Sequence, residues 1–398
     1  MTIKTLPVLR VKPREERRVR GGHPWVYSNE IALDAEAKAL PPGSLVRLYD
    51  SHGGGIGVAS FNPHSLIAAR LWTDNVDTRV DAAFLTTRLQ AAQALRDRCF
   101  TQPYYRLVHA EADGMPGFII DRYNDVFAVQ ANTAGAEVLL PVLVDVLQAL
   151  YKPRAVVLRN DSAVRGLEGL EQEIRLAAGD LGKTGAVVEE GGARFTLDLL
   201  EGQKTGWYFD LAEARAKLAA LAKGQDMLDC YCNSGAFALT AAKAGAKSVR
   251  GIDRSELAVA QATLAAKDNG FAKLASFEKA EAFIALEKLN AEKAQFGVVV
   301  TDPPNFVKSR KDLGPGSRAY RKLAKLAAPL VRPGGIWFVA CCAHLLPGEL
   351  FAKEVAIGLS QAGRSGRILY SGGAGPDHPV HPHLPESAYL KWQLLQLD

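Results

Sequence analysis

Three short stretches carry the residue types that could do chemistry together. Asp302-Pro303-Pro304-Asn305-Phe306 follows the apolar run FGVVV. Proline fixes φ and removes a donor, so the segment reads as a rigid loop at the end of a strand, presenting a carboxylate beside an aromatic ring. A planar base stacked on Phe306, with Asp302 bonding its edge, is the chemistry such a loop suits. The plainer alternative is a helix-breaking turn. Cys341 and Cys342 end the run GIWFVA and are followed by Ala343 and His344. Carbon 5 of a pyrimidine is a poor nucleophile. A thiolate adding to carbon 6 turns the ring into an enamine or enolate that can take a methyl group. Successive strand side chains point to opposite faces, so at most one of the two cysteines should reach a pocket. A buried structural cysteine is the ordinary fate of the other. His344 receives no firm role.

The third stretch is Met227 to Tyr231, running through Cys232-Asn233-Ser234 to Gly235 and into AFALTAAKAGA. A glycine at the first strand-to-helix turn lets the backbone approach a bound nucleoside closely. A single Gly falls short of the GxGxxG fingerprint, so pyrophosphate binding is unsupported and a dehydrogenase is disfavoured. Asp253 closes the next strand, SVRGID, where a carboxylate can accept both ribose hydroxyls. Alone it would serve equally well as a helix cap. Asp229, Gly235 and Asp253 together favour an adenosine-containing cofactor.

The elements that must position these residues follow from patterning. Residues from Arg10 to Thr73 alternate β-prone runs (SLVRLYD, GIGVASF, LIAARLW) with turn clusters, a strand-rich module with no helix of useful length. From Val80 to Arg98 apolar residues recur at helical spacing. The strand-like FIIDRY and FAVQAN and the helical LLPVLVDVLQAL then complete an α+β region ending near Gly191. Beyond Phe195, DMLDCY, SVRGID, FGVVVTD and GIWFVACC alternate with helical or loop segments, the signature of a doubly wound, mostly parallel sheet. The boundaries expected are 1–75, 76–191 and 192–398.

The 398 residues are 48% hydrophobic and 23% charged, as a folded globular chain is. No apolar run reads as long and uncharged enough to span a bilayer and no signal-peptide core is seen, so the expected address is the cytoplasm, with no membrane partner. Five cysteines, four of them in the close pairs Cys230/Cys232 and Cys341/Cys342, read as reduced thiols. A net charge of +5 says little about partners for this length, and its distribution says more. Arg10, Lys12, Arg14, Arg17, Arg18 and Arg20 crowd one arm, and Lys308, Arg310, Lys311, Arg318, Arg321, Lys322 and Lys325 follow the Asp-Pro-Pro segment. Either cluster alone reads as a solvated face, whereas the two together favour phosphate contacts. Asp377-His378-Pro379-Val380-His381-Pro382-His383 does not match a zinc spacing, and no metal is expected; a rigid loop near the active-site mouth is.

The residues quoted resemble the ribosomal RNA large subunit methyltransferase I family over nearly the whole chain. GGHPWVYSNEI and FNPHSLIAARLW look like its PUA module, RLVHAEADGMPGFIIDRY and DSAVRGLEGL like its central α+β domain, and EGQKTGWYFD like the segment before its methyltransferase core. The resemblance implies a class I, Rossmann-like methyltransferase domain behind a small β-rich PUA domain and an α+β domain, with S-adenosylmethionine as cofactor. It also implies large-subunit ribosomal RNA as substrate, 5-methylcytosine as product and a homodimer as the possible assembly. Cys342 would be the nucleophile and Asp302 would engage the N3 edge of the base. Tyr208, Asp210, Asp229, Cys230, Gly235, Asp253, Arg254, Glu281, Ala282 and Asp302 would form the cofactor site. Three departures stand out: Leu211 and Ala212 follow Asp210 where Gln-Arg is usual, although Arg215 remains. Glu281 replaces an Asp, and Cys341-Cys342-Ala343 replaces Ser-Cys-Ser. The alternatives are methylation of a base nitrogen without an adduct, methylation of uracil C5, and a non-catalytic RNA-binding assembly factor.

Overall fold

A computed structural model describes residues 6–182, 185–202 and 206–398, so Gln203, Lys204 and Thr205 of EGQKTGWYFD lie outside the described residues. The chain divides into two compact units. The first comprises Met1–Val187, Leu197–Phe209 and Pro376–Pro385, the second Val188–Thr196, Asp210–Gly375 and Glu386–Asp398.

In the first unit, β1 (Val8–Arg10), β2 (Trp25–Val26), β3 (Ser44–Tyr49), β4 (Gly55–Phe61) and β5 (Ala69–Thr73) form a sheet in the order β1-β3-β4-β5-β2. The helices α1 (Glu16–Arg20) and α2 (Ala35–Lys38) are one turn or little more. Alternating Val46, Leu48, Ala59 and Phe61 fill the core of this sheet. A second core lies under α3 (Ala82–Cys99), β6 (Tyr104–His109), β7 (Phe118–Tyr123), β8 (Val126–Ala131), α4 (Ala134–Tyr151), β9 (Ala155–Asn160) and β10 (Glu173–Gly179). These strands lie in the order β10-β9-β8-β7-β6, the α+β arrangement that patterning indicates.

One expectation needs correction. Helix α4, at 18 residues, is long and apolar enough by length and composition to cross a membrane. Its sequence is apolar because Leu139, Leu140, Leu143, Val146 and Leu147 are core residues, while Glu137 pairs with Arg165. The histidine-rich loop also belongs to this unit. Arg96, fully buried, grips both carboxylate oxygens of Asp113 and donates to the Asp377 carbonyl at 2.9 Å. The Arg106 N–H bonds the Asp377 carboxylate at 3.0 Å.

A hairpin, β11 (Ala186–Glu190) and β12 (Ala193–Leu197), leads into the second unit. There α5 (Ala212–Leu221), β13 (Asp226–Cys230), α6 (Ala236–Lys243), β14 (Ser248–Asp253), α7 (Glu256–Asp268), β15 (Ala275–Lys279) and α8 (Ala282–Ala291) are followed by β16 (Phe296–Thr301), α9 (Leu313–Ala327), β17 (Val331–Cys341), α10 (Gly348–Gln361), β18 (Gly366–Gly372) and β19 (Lys391–Leu397). The seven strands lie in the order β15-β14-β13-β16-β17-β19-β18, parallel from β15 to β17. Strand β19 is antiparallel and slots between β17 and β18. Val298, Val299 and Val300 of β16 are buried on both faces, as a central parallel strand covered by helices requires. Connections run outward from β13 on one side and from β16 on the other, so the strand order reverses between them. At such a switch point the carboxyl ends of the strands leave a crevice for a ligand.

Candidate active site

The strand ends are brought level by register. Cys230 of β13 pairs with Ile252 of β14 and Thr301 of β16, and Thr301 pairs with Val339 of β17. Asp253, Asp302 and the Cys341-Cys342 pair therefore leave neighbouring strand ends, although Asp253, Asp302 and Cys342 lie 24, 73 and 113 positions after Asp229 in sequence. Past β13 the backbone takes positive φ at Tyr231 (64°), Asn233 (46°) and Gly235 (80°), a tight turn that delivers the chain into α6. Asn tolerates this region and Gly prefers it, but at Tyr231 it is strained and must be held by its surroundings.

The acids around that turn have defined partners. One Asp253 oxygen accepts the Asn233 N–H at 3.0 Å and the other accepts the Ser255 N–H at 2.8 Å. Each oxygen keeps a lone pair for a further donor. Asp229 is buried and accepts the Ala238 N–H at 3.1 Å from the first turn of α6. Burial, with the charge of Asp302 next, pushes the Asp229 carboxyl well above the ordinary range. Buried Arg215 forks onto Glu190, and the Tyr389 hydroxyl donates to the Asp210 carboxylate. The Tyr231 hydroxyl is buried with no hydrogen-bond partner among the described residues, and burial raises it beyond the usual phenol range. The groups that act on it include Glu281, Arg254 and Asp253.

On the β16 side, Pro303 is buried, and the Asn305 side chain accepts the Val307 N–H at 2.8 Å, which shapes the loop. The Phe306 ring packs 5.0 Å from Tyr320 and 6.1 Å from Phe283, centroid to centroid, at the edge of the core. At the end of β17 the two cysteines part: Cys341 is fully buried and Cys342 is partly exposed. Burial raises the Cys341 thiol, and Tyr320 and Lys391 act in the opposite direction. Lys391, paired with Cys341 across the sheet, donates to the Ala343 carbonyl at 2.6 Å and the Tyr389 carbonyl at 2.9 Å. Burial lowers its ammonium from the usual range.

The remaining expected site residues fall in several places. Asp210 is buried in the second unit, whereas Tyr208 belongs to the first. The Cys230 side chain is wholly in the core, which pushes its thiol up, and only its carbonyl, accepting the Asp302 N–H at 3.5 Å, faces the strand ends. Arg254 and Glu281 are exposed and Ala282 is buried. Glu281 caps α8 by accepting the Ile284 N–H at 2.9 Å. His344 is exposed. Among the described residues no group of three or more His, Cys, Asp or Glu side chains is placed to hold a metal ion. The histidine loop falls in the first unit rather than in the unit that carries these strand ends. Sequence reasoning missed Tyr231 and Lys391. Only the pairing of β19 with β17 brings Lys391 to Cys341, and nothing local to KWQLLQL signals it.

Residues 9–74 match the PUA-like domain family, and residues 164–358 match the family described as S-adenosylmethionine-dependent methyltransferase. The chain is 34% identical over 387 residues to ribosomal RNA large subunit methyltransferase I of Shewanella frigidimarina, covering 96% of this chain and 97% of that one. It is 34% identical over 392 residues to the protein of the same name from Aliivibrio fischeri, covering 97% and 98%. Among solved structures, a candidate methyltransferase complexed with S-adenosylhomocysteine has a TM-score of 0.81 at 17% identity, covering 98% of this chain and 100% of its own. A candidate S-adenosylmethionine-dependent methyltransferase from Streptococcus mutans has a TM-score of 0.79 at 18% identity, with the same coverage.

Proposed function

The chain belongs to the ribosomal RNA large subunit methyltransferase I family, and from that premise we propose that it methylates C5 of a cytosine in large-subunit ribosomal RNA through a covalent adduct of Cys342 with C6. The observation that carries the reading is the divergence at the end of β17, where Cys341 turns into the core and Cys342 stays accessible, beside the strand that delivers Asp302. The residues present fit the family's cofactor. Asp253 keeps acceptor capacity for ribose hydroxyls, and the buried Tyr231 hydroxyl awaits a partner. When bound, S-adenosylmethionine supplies an electrophilic methyl group.

The chain's own residues do the rest. The Cys342 thiolate adds to C6 and makes C5 nucleophilic, while Asp302, as the carboxylic acid, donates its proton toward N3 of the base and draws charge from the ring. Once C5 carries the methyl group, loss of its proton to a base expels the thiolate and restores the ring. The target atom lies within a base stack, so the nucleotide must be unpaired or turned out, at a cost of about a few kcal/mol. Basic side chains beside the Asp-Pro-Pro loop hold the phosphates.

Cys342→Ser is expected to abolish methyl transfer and leave S-adenosylmethionine binding intact by calorimetry. RNA carrying 5-fluorocytosine is expected to form a denaturation-resistant adduct that maps to Cys342. Near-normal turnover in the variant would rule out the covalent route in favour of a base nitrogen. An adduct with 5-fluorouracil RNA alone would move the target to uracil, and loss of cofactor binding with RNA affinity kept would indicate an assembly factor.

A further inference from the structure

The charges near the accessible thiol leave one question open. Asp302 from the β16 loop and Asp210 before α5 are carboxylates, and Asp302 opposes ionisation of the neighbouring Cys341. Of the cations in this part of the unit, Arg215 is committed to Glu190. A thiolate here needs a positive charge. Lys391 opens β19 opposite Cys341, half-buried, with two of its three ammonium hydrogens given to the carbonyls of Ala343 and Tyr389. The first of these carbonyls belongs to the residue after Cys342. The second belongs to the residue whose hydroxyl bonds Asp210. Tyr320, reaching over from α9, puts its hydroxyl beside the Cys341 sulfur, on the core side.

We propose that Lys391 is a positioning residue for the nucleophile: its ammonium clamps the backbone immediately after Cys342 and supplies the charge that favours the thiolate there. Among the described residues the ammonium is held by neutral carbonyls and not by a carboxylate, so its charge is not cancelled by a partner there. Burial lowers its own proton affinity, and both cysteine sulfurs pull that affinity back up, the reciprocal of the stabilisation the lysine gives them. The inference rests on Cys342 being the nucleophile.

The test is the pH dependence of Cys342 alkylation by iodoacetamide in the full chain without RNA, read by peptide mass spectrometry so that Cys99, Cys230, Cys232 and Cys341 are counted separately. In Lys391→Met the midpoint is expected to rise by about one pH unit, with alkylation near neutrality slowed roughly tenfold. Lys391→Gln, which keeps a donor for the Ala343 carbonyl but no charge, is expected to show the same rise. Lys391→Arg is expected to restore the wild-type midpoint. Should the Met variant not fold, the Gln variant decides. An unchanged midpoint in Lys391→Gln overturns the proposal even where the 5-fluorocytosine adduct forms normally at Cys342. Failure of wild-type chain to form that adduct removes the nucleophile reading instead, whatever the alkylation midpoints.

Discussion

At the scale of single residues, the adjacent cysteines show how much one position of strand phase decides. Alternation alone predicts that the two side chains diverge, and the structure buries Cys341 beside Tyr320 while leaving Cys342 accessible. Cys341→Ala is therefore expected to keep methyl transfer and to lose roughly 1 kcal/mol of stability from the small cavity, measured by denaturant unfolding. Asp229 supports a second prediction. Its folded-state proton affinity is raised, so the native chain holds a proton that the unfolded chain releases, and stability falls as pH rises from the ordinary carboxylate range through the raised value. Asp229→Asn, whose amide oxygen still accepts the Ala238 N–H, removes that loss. Without cofactor the variant is expected to melt above wild type at neutral pH, by roughly 2–4 °C per kcal/mol recovered. The gap should close as the pH is lowered and the native Asp229 is protonated. A gap independent of pH would show that Asp229 is not the group responsible. Asp229, Asp253 and Asp302 were legible because an acid at a strand end is visible in the chain itself. Tyr231 and Lys391 were not, because an orphaned hydroxyl and a cross-strand lysine exist only once the sheet is assembled.

At the scale of elements, the four strands that bear the site were readable as short apolar runs, because β13, β16 and the second half of β17 are buried on both faces and β14 keeps Val249, Gly251 and Ile252 buried. Strands β15, β18 and β19 gave no such signal. ASFEK is short and largely polar at one edge of the sheet. GRILYSG is exposed along its whole length at the other edge, and KWQLLQL follows a loop that belongs to the first unit. That excursion, Pro376–Pro385, is held in the first unit by Arg96 and Arg106 on Asp377, a long-range bond that no local pattern carries. The turn after β13 was legible through Gly235, and there the requirement is sharp. Its φ of 80° disfavours any side chain, and an added Cβ would sit 3.2 Å from both Ala262 and Phe277. Gly235→Ala is expected to cost about 1–2 kcal/mol from the backbone alone and to weaken S-adenosylmethionine binding by shifting the turn, both followed by calorimetry. Unchanged affinity would place the cofactor away from this turn.

At the scale of the whole molecule, a net charge of +5 conceals a division between cations paired inside the fold and exposed cations with no ion-pair partner among the described residues. In the amino-terminal arm Arg18 is bound to Glu30 and Arg20 to Asp50, while Arg14 and Arg17 are exposed and have no ion-pair partner among the described residues. In the second cluster Arg321 forks onto buried Glu354, and Lys322 pairs with Glu287 and lies over the Phe283 ring. Lys308, Arg310, Lys311, Arg318 and Lys325 are exposed, again without an ion-pair partner among the described residues. Sequence patterning treats all seven of these side chains alike, whereas the structure sorts them. Each phosphate contact contributes about 0.7–0.9 to the slope of log affinity against log salt, so neutralising cations that bind RNA must flatten that slope. Replacing Lys308, Arg310, Lys311 and Arg318 by Gln is expected to weaken RNA binding most at low salt and to flatten the slope, while the melting temperature stays near wild type. Arg321→Gln should do the opposite: it strands the Glu354 carboxylate and lowers the melting temperature with the salt slope unchanged. Equal slopes for the fourfold variant and wild type would mean that these cations are only a solvated face, and that the RNA backbone is held elsewhere on the molecule.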